Sequence, residues 1–283
     1  MPISKEAKVN TRRKYFPKWM DTETFVLGWV GRNAWRKQVW VAYELIYRLR
    51  SGSYWICEDC GKVSLTKSER ITRIKREIAE ELPKSESRQS LNGRCRHCGS
   101  TSVRRPDPFT SMVLWLHMAR DESLAAWPCE GLEWTYNLVP NRDIFYTEGY
   151  SSHSAIPSSQ MPVLYQMWDC LLFLSGAEGF GLPAWEAMAS GLPVVYTDYS
   201  SHSEFLSDSQ AGISVSGILQ PEPRTCTWRI IADVEQCVVA VRSLYYDRQK
   251  GARLGQNGTT YIKDFSIEKQ TDRLHNTLQH VLS

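Results

Sequence analysis

Residues 170–205 read CLLFLSGAEGFGLPAWEAMASGLPVVYTDYSSHSEF. A short apolar run stops at Ser175 and a turn with Gly179 and Gly181 follows. A helix-compatible segment then opens near Leu182, and a second apolar run begins at Leu192. Short apolar runs alternating with helical segments are βαβ units, and a parallel sheet is their joint product. In an open parallel sheet, ligands sit beyond the carboxyl ends of the strands, where loops lead into helices. The turn at 175–182 is such a loop. Its glycines let a ligand approach the backbone, and Pro183 is tolerated in the first turn of the helix. The first amides of that helix offer a positive end suited to phosphate. Glu178 precedes the helix and Glu186 lies in its opening turns. Two carboxylates repel phosphate but suit hydroxyls, and hydroxyls beside a pyrophosphate describe a nucleotide sugar.

The same grammar continues on both sides of this stretch. TFVLGWVG (24–31) is an apolar run ending in glycine, as a strand buried on both faces reads. QVWVAYELIYRLR (38–50) has helical spacing. SMVLWLHM (111–118), DIFYTE (143–148), CLLFLS (170–175) and LPVVYTD (192–198) are further strands, with QMPVLYQMWD and AWEAMAS as helices between them. Residues from about 232 to 282 read as two or three closing helices. The expected fold is α/β: a single Rossmann-like parallel sheet with helices on both faces. Trp29, Trp40, Trp115 and Trp168 fall on core elements. Trp35 lies in a loop between Arg32 and Lys37, where it could cover a ligand or face a partner domain.

The chain has 283 residues, 42% of them hydrophobic, enough to bury one or two cores. No run approaches the roughly 18 apolar residues of a membrane span, and the first residues, MPISKEAKVNTRRKYF, contain no apolar stretch that would serve as a signal peptide. A cytoplasmic setting is therefore expected. The formal charge is +3, yet residues 57–105 hold 12 Lys and Arg against 7 Asp and Glu, a balance of +5 that leaves −2 for the rest.

That basic segment carries C-E-D-C-G (57–61) and C-R-H-C-G (95–99), separated by 34 residues. Each knuckle can present two thiolates to one tetrahedral zinc, and the glycine permits the turn that aims amides at sulfur. Cys57, Cys60, Cys95 and Cys98 would fill the coordination sphere, so the Zn2+ is expected to be structural, with His97 a bystander. The remaining cysteines (129, 170, 226 and 237) are scattered, which suits a reducing compartment. The separation is long because T-K-S-E (66–69) has the form of a capping box, and Ile71, Ile74, Ile78 and Leu82 recur at helical spacing up to Pro83. Arg70, Arg73, Lys75 and Arg76 on that helix suggest nucleic acid, but Glu77, Glu80 and Glu81 on the same helix and the scarcity of aromatic residues favour a solvated face or a protein-docking role.

E-G-F-G-L-P-A-W-E-A-M-A-S-G-L-P-V-V resembles the E-x7-E motif of retaining glycosyltransferases of family 4, and G-W-V-G-R-N-A-W-R-K (28–37) resembles their Gly-Arg followed five residues later by Lys. The resemblance runs through most of 21–282 apart from the cysteine-bearing insertion. It implies the C-terminal, nucleotide-sugar-binding half of a GT-B fold. It also implies that Gly31, Arg32 and Lys37 stand at the diphosphate, with Arg32 and Lys37 stabilising the leaving nucleotide. Glu186 would take the ribose hydroxyls, and Glu178 the donor sugar. Gly179, Phe180, Gly181 and Leu182 would offer amides, and the loop at Gly149 and Tyr150 would hold the base. The donor would be a UDP- or GDP-sugar, and the mechanism a front-face attack assisted by the leaving phosphate, with no catalytic metal. Asp198, His202 and Glu204 follow the next strand, near where the family lines its cleft.

The domain reading is then 1–20 as a leader or remnant of an interdomain linker, 21–54 and 109–283 as the nucleotide-sugar-binding domain, and 55–108 as an inserted zinc ribbon. Only some twenty residues precede the first strand, so the acceptor-binding half expected of the family is sought in a longer gene product or in another polypeptide. The leading expectation is the donor-binding half of a retaining glycosyltransferase with an unknown acceptor. Its alternatives are a nucleotide-sugar-binding or partner-docking module without turnover, and a transferase that grips modified nucleic acid through the basic ribbon.

Overall fold

The computed structural model describes residues 5–66, 94–120, 122, 125–151, 153–222 and 226–282. In chain order the described elements begin with α1 (Lys5–Tyr15), β1 (Phe25–Val30), α2 (Val39–Ser51), β2 (Tyr54–Cys57), β3 (Val63–Leu65), β4 (Val103–Arg104) and β5 (Met112–His117). There follow α3 (Cys129–Tyr136), β6 (Ile144–Tyr146), α4 (Met161–Met167), β7 (Cys170–Phe173), α5 (Leu182–Ala189), β8 (Val194–Thr197), α6 (Ser201–Ser209) and β9 (Gly212–Val215). The chain closes with β10 (Gly217–Glu222), β11 (Thr227–Ala232), α7 (Val234–Tyr246), α8 (Arg248–Ile262) and α9 (Ile267–Leu282).

Six strands form one parallel sheet in the order β6-β5-β1-β7-β8-β9. The chain builds outward from β1 to β6 on one side, then returns and builds outward from β7 to β9 on the other. The order therefore reverses between β1 and β7, and the crevice of such a sheet opens there.

The four inner strands, β5, β1, β7 and β8, are buried on both sides because both sides are covered. Phe25, Leu27 and Trp29 point to a core shared with Leu45 of α2, Leu132 of α3 and Val241 of α7. Val26, Val113 and Phe173 point the opposite way, to Leu164 of α4, Ala187 of α5 and Leu206 of α6. The period of two along each strand sorts the residues between the faces. Gly28 has a packing reason: a Cβ there would lie 1.9 Å from the ring of Trp168, which fills the space.

Residues 5–15 form a helix tied to the amino edge of the sheet. Arg12 of α1, almost fully buried, donates to the carbonyls of Met167 (2.7 Å), Thr22 (2.7 Å) and Thr24 (3.0 Å) and pairs with Asp169 (2.6 Å). Asp169 also pairs with Lys8 (2.7 Å) and accepts from the amide of Val26 (2.7 Å). The charges are buried but satisfied, which is the condition under which burial of an ion is tolerated.

The insertion folds as a three-stranded antiparallel sheet, β3-β2-β4. It rests against α7. The amide of Leu65 donates to Glu235 (3.0 Å), Arg96 pairs with Glu235 (3.3 Å), and Arg242 donates to the hydroxyl of Tyr54 (2.7 Å). The charged helix expected from about residue 66 to 82 lies outside the described residues, apart from Thr66 at its start.

Candidate functional site

The reversal point between β1 and β7 is built by two turns that are stapled together. After β1 the chain enters a 3-10 turn, Trp35–Lys37, and Gln38 then adopts a left-handed conformation before α2. After β7 it runs through Ser175 to Gly181. The amide of Gly176 donates to the carbonyl of Arg36 (2.6 Å), and the Ser175 hydroxyl donates to the same oxygen (3.2 Å). Gln38 reaches across to β11, donating to the Ile230 carbonyl (2.6 Å) and accepting from the Ala232 amide (3.0 Å).

These staples bring Lys37 against Glu178. The ammonium pairs with Oε1, and both side chains are about nine-tenths buried. Arg36 takes the other oxygen, Oε2, at 2.7 Å and also donates to the Ala177 carbonyl (3.2 Å). Burial pushes the Lys37 pKa below its usual value, against the pull of Glu178. Burial works to raise that of Glu178, but the hydrogen bonds from Lys37 and Ser175 and the charges of Lys37 and Arg36 hold its carboxyl below the ordinary range. The carboxylate is thus ionised and clamped by two cations.

The loop beyond Glu178 is fixed from the β8 side. The Glu178 amide donates to the Ser200 hydroxyl (3.0 Å), the Ser201 hydroxyl donates to the Glu178 carbonyl (2.9 Å), and Thr197 donates to the Ser175 carbonyl (2.5 Å). His202 is fully buried. Its Nε2 lies 2.9 Å from the Thr197 carbonyl and its Nδ1 3.3 Å from the Ser200 hydroxyl, so both nitrogens serve the loop. Asp198 and Glu204 are exposed.

Gly181 is the N-cap of α5 and has φ +102°, a left-handed value that glycine adopts without strain. A Cβ there would also lie 2.9 Å from the Cβ of His202. With the cap so turned, none of the amides of Gly179, Phe180, Gly181 and Leu182 donates a hydrogen bond among the described residues. Four amides without a partner among the described residues lead into this helix, a cradle that suits an anion. Phe180 and Leu182 are exposed beside it. Glu186 stands exposed on α5 and accepts from the hydroxyl of Tyr165 (2.7 Å).

Lys37, Glu178 and the 179–182 amides share the crevice. Gly31 opens the turn after β1, and Gly149 and Tyr150 lie on the loop after β6, two strands away. Arg32 pairs with Glu122 and is largely exposed, while Arg36 fills the second cationic position at Glu178. The signal for Arg36 is the adjacent pair of cations in WRK. Choosing it over Arg32 requires knowing the 3-10 turn. Trp35 is half-exposed and packs edge-on against Trp127, with ring centroids 4.5 Å apart.

The four cysteines of the insertion have their sulfurs all within 4.8 Å of one another, with Cys57 to Cys98 at 3.6 Å and Cys60 to Cys95 at 3.7 Å. A tetrahedral zinc with sulfurs at about 2.3 Å requires sulfur separations of about 3.8 Å. The two knuckles are built alike: Gly61 and Gly99 each donate to the carbonyl of the first cysteine of their pair (2.9 Å in both), with left-handed φ of +68° and +77°. The His97 amide lies 3.4 Å from the Cys95 sulfur. The donor set fits a tetrahedral dication with no open position.

Residues 150–222 match the family model of glycosyl transferases group 1. That span contains the cradle, Glu178 and Glu186. No curated protein matches the sequence. Among solved structures, sucrose-phosphate synthase from Thermosynechococcus elongatus aligns at 17% identity with a TM-score of 0.59, covering 99% of this chain and 50% of that one. The Anabaena protein Alr3699/HepE, crystallised with UDP and glucose, aligns at 13% identity with a TM-score of 0.58, over 98% of this chain and 53% of that one. The C-terminal domain of a group 1 family glycosyl transferase, LpcC, from Francisella tularensis aligns at 17% with a TM-score of 0.54, over 94% and 95%. The chain spans about half the length of the first two and nearly the whole of the isolated C-terminal domain. The fold is that of one Rossmann-like half of a GT-B enzyme. No helix among the described residues is long and apolar enough to cross a membrane.

Proposed function

We propose that this chain is the donor-binding half of a retaining glycosyltransferase of family 4, moving a sugar from a nucleoside diphosphate to an acceptor held by a second domain or subunit. The observation that carries the reading is the meeting of a four-amide cradle with the Lys37–Glu178–Arg36 cluster at the reversal point of the sheet. The group 1 match over 150–222 supports it.

In this reading the diphosphate lies on the amides of residues 179–182, and the cation now shared with Glu178 turns to the leaving phosphate. Lys37 offers a point charge and an arginine a planar fork, the two side chains suited to phosphate. Arg32, in the turn after Gly31, reaches the same diphosphate once released from Glu122. Glu178, freed of one partner, takes hydroxyls of the donor sugar. Glu186 takes the ribose, held by Tyr165. Glu178, the carboxylate beside the cradle, is held by Lys37 and Arg36 and is not free to act as a nucleophile, so in this reading the bond breaks with charge gathering on the diphosphate, where preorganised donors stabilise it. The four thiolates of the insertion would hold a structural Zn2+, a cross-link that fixes the ribbon.

A thermal-shift panel of UDP, GDP and inorganic pyrophosphate tests the reading. One nucleoside diphosphate at a hundredfold excess over its Kd should add about 2.7 kcal/mol to stability. The absence of any shift with every nucleoside diphosphate contradicts it.

A further inference from the structure

His117 is the last residue of β5, at the carboxyl edge of the sheet, and its carbonyl accepts from the amide of Gly31 (3.3 Å). The side chain is only 5% exposed. Its Nδ1 is sealed from water without a hydrogen-bond partner among the described residues, and the ring of Tyr150 lies 4.3 Å away, tilted by 45°. Burial holds the imidazole pKa down to about 4, so the ring is neutral. A buried polar atom without a partner costs free energy that an apolar residue would not. Val113 and Trp115, on the same face of the strand as His117, are buried apolar side chains, so this side of the sheet is otherwise packed without polar atoms.

The place of this orphan atom says what completes it. His117 ends β5, which lies two strands, about 10 Å across the sheet, from β7, the strand whose following loop carries the cradle. That is the order of the distance between the phosphates and the base of an extended nucleotide. A neutral imidazole cannot offset phosphate charge, and two cations already stand at the cradle. Tyr150, half-buried, is carried on a loop anchored by the Thr147 amide to the Leu116 carbonyl (3.1 Å) and by Trp115 Nε1 to the Thr147 hydroxyl (3.2 Å). Gly149 beside it has open space around its Cα.

We infer that His117 is the base-reading residue of the donor cleft: a neutral hydrogen-bonding group that meets the edge of the nucleobase, while the Tyr150 ring offers the face on which the base stacks. The inference rests on the donor-binding reading given above and names the subsite that would select the nucleotide. Base stacking on an aromatic ring is tolerant of sequence, whereas a directed hydrogen bond discriminates.

Calorimetric titration of UDP, GDP and inorganic pyrophosphate into wild type, His117→Leu and His117→Gln tests it. His117→Leu should weaken the preferred nucleoside diphosphate about tenfold and shrink the UDP-to-GDP preference, with pyrophosphate affinity unchanged. His117→Gln should recover part of the loss. The Tm of His117→Leu should equal or exceed that of wild type, because the orphan nitrogen is gone. An unchanged base preference in His117→Leu overturns the inference, as does an equal loss of pyrophosphate or a lowered Tm with base preference intact. If wild type binds pyrophosphate but no nucleoside diphosphate, the donor-binding reading fails first and the inference falls with it.

Discussion

Lys37 and Glu178 close an ion pair across the carboxyl edge of the sheet, joining the turn after β1 to the turn after β7. Arg36 holds the second oxygen of the same carboxylate. The arrangement neutralises the cations that a diphosphate would need, so Glu178 and an incoming phosphate compete for them. Glu178→Gln should therefore bind inorganic pyrophosphate about three- to tenfold more tightly than wild type, while sugar-nucleotide turnover falls. Lys37→Met should weaken both pyrophosphate and nucleoside diphosphate by about 10- to 100-fold. Calorimetry on the two variants checks the opposite signs.

Two glycines of the cradle should respond differently. Gly181→Ala places a side chain at φ +102° and 2.9 Å from His202, against the fully packed side of the loop. A loss of about 2–4 kcal/mol in urea unfolding is expected, from left-handed strain and overpacking together. Gly179→Ala meets nothing within 4 Å, so its stability should stay within about 0.5 kcal/mol of wild type while nucleotide affinity drops, because the new methyl stands where the ligand approaches.

The ribbon has strands of only four, three and two residues, too little to hold itself by packing. The purified chain should contain close to one zinc per molecule by elemental analysis. Chelation, or Cys95→Ser, should raise hydrogen exchange at residues 54–66 and 94–104 and leave β1, β5 and β7 protected. Glu235→Ala removes the contacts to Leu65 and Arg96 and should loosen the ribbon by about 1–3 kcal/mol without releasing the metal.

Asp169 sets an acid limit. Burial works to raise its pKa, yet Lys8, Arg12 and Arg248 hold it down to about 2. A carboxyl depressed in the folded state contributes stability above its unfolded pKa, and that contribution is lost as pH falls through the folded one. Wild type should lose about 2 kcal/mol between about pH 4 and pH 2 from this group. Asp169→Asn should be less stable at neutral pH, with three cations left short of a partner, and should show a flatter acid limb in denaturant titrations.

Much of this was legible in the sequence because the sheet is covered on both faces. Runs such as FVLGWV and MVLWLH are continuous and apolar, and each became a strand within a residue or two of the expected bounds. The antiparallel pair β10–β11 was not legible. Its residues, GILQPE and TWRIIA, leave Ile218, Leu219 and Trp228 exposed and carry a proline, so neither alternation nor a buried run marks them. Nor was α1: its mean polarity is high, and it is anchored by Arg12 through hydrogen bonds rather than by an apolar stripe. At the site, Lys37 and Glu178 were visible as a motif. The roles of Arg36, Ser200 and His202 depend on backbone turns that bring together residues far apart in the chain. His117 looked like the end of one more apolar strand, and only its burial without a partner separates it from its neighbours.

The most direct measurement is a crystal structure of the chain with the nucleoside diphosphate that stabilises it most. The account predicts phosphate oxygens within hydrogen-bond distance of the amides of residues 179–182, with Lys37 Nζ turned from Glu178 to the phosphate. A nucleotide bound elsewhere, with the Lys37–Glu178 pair still closed and the four amides unengaged, would contradict it.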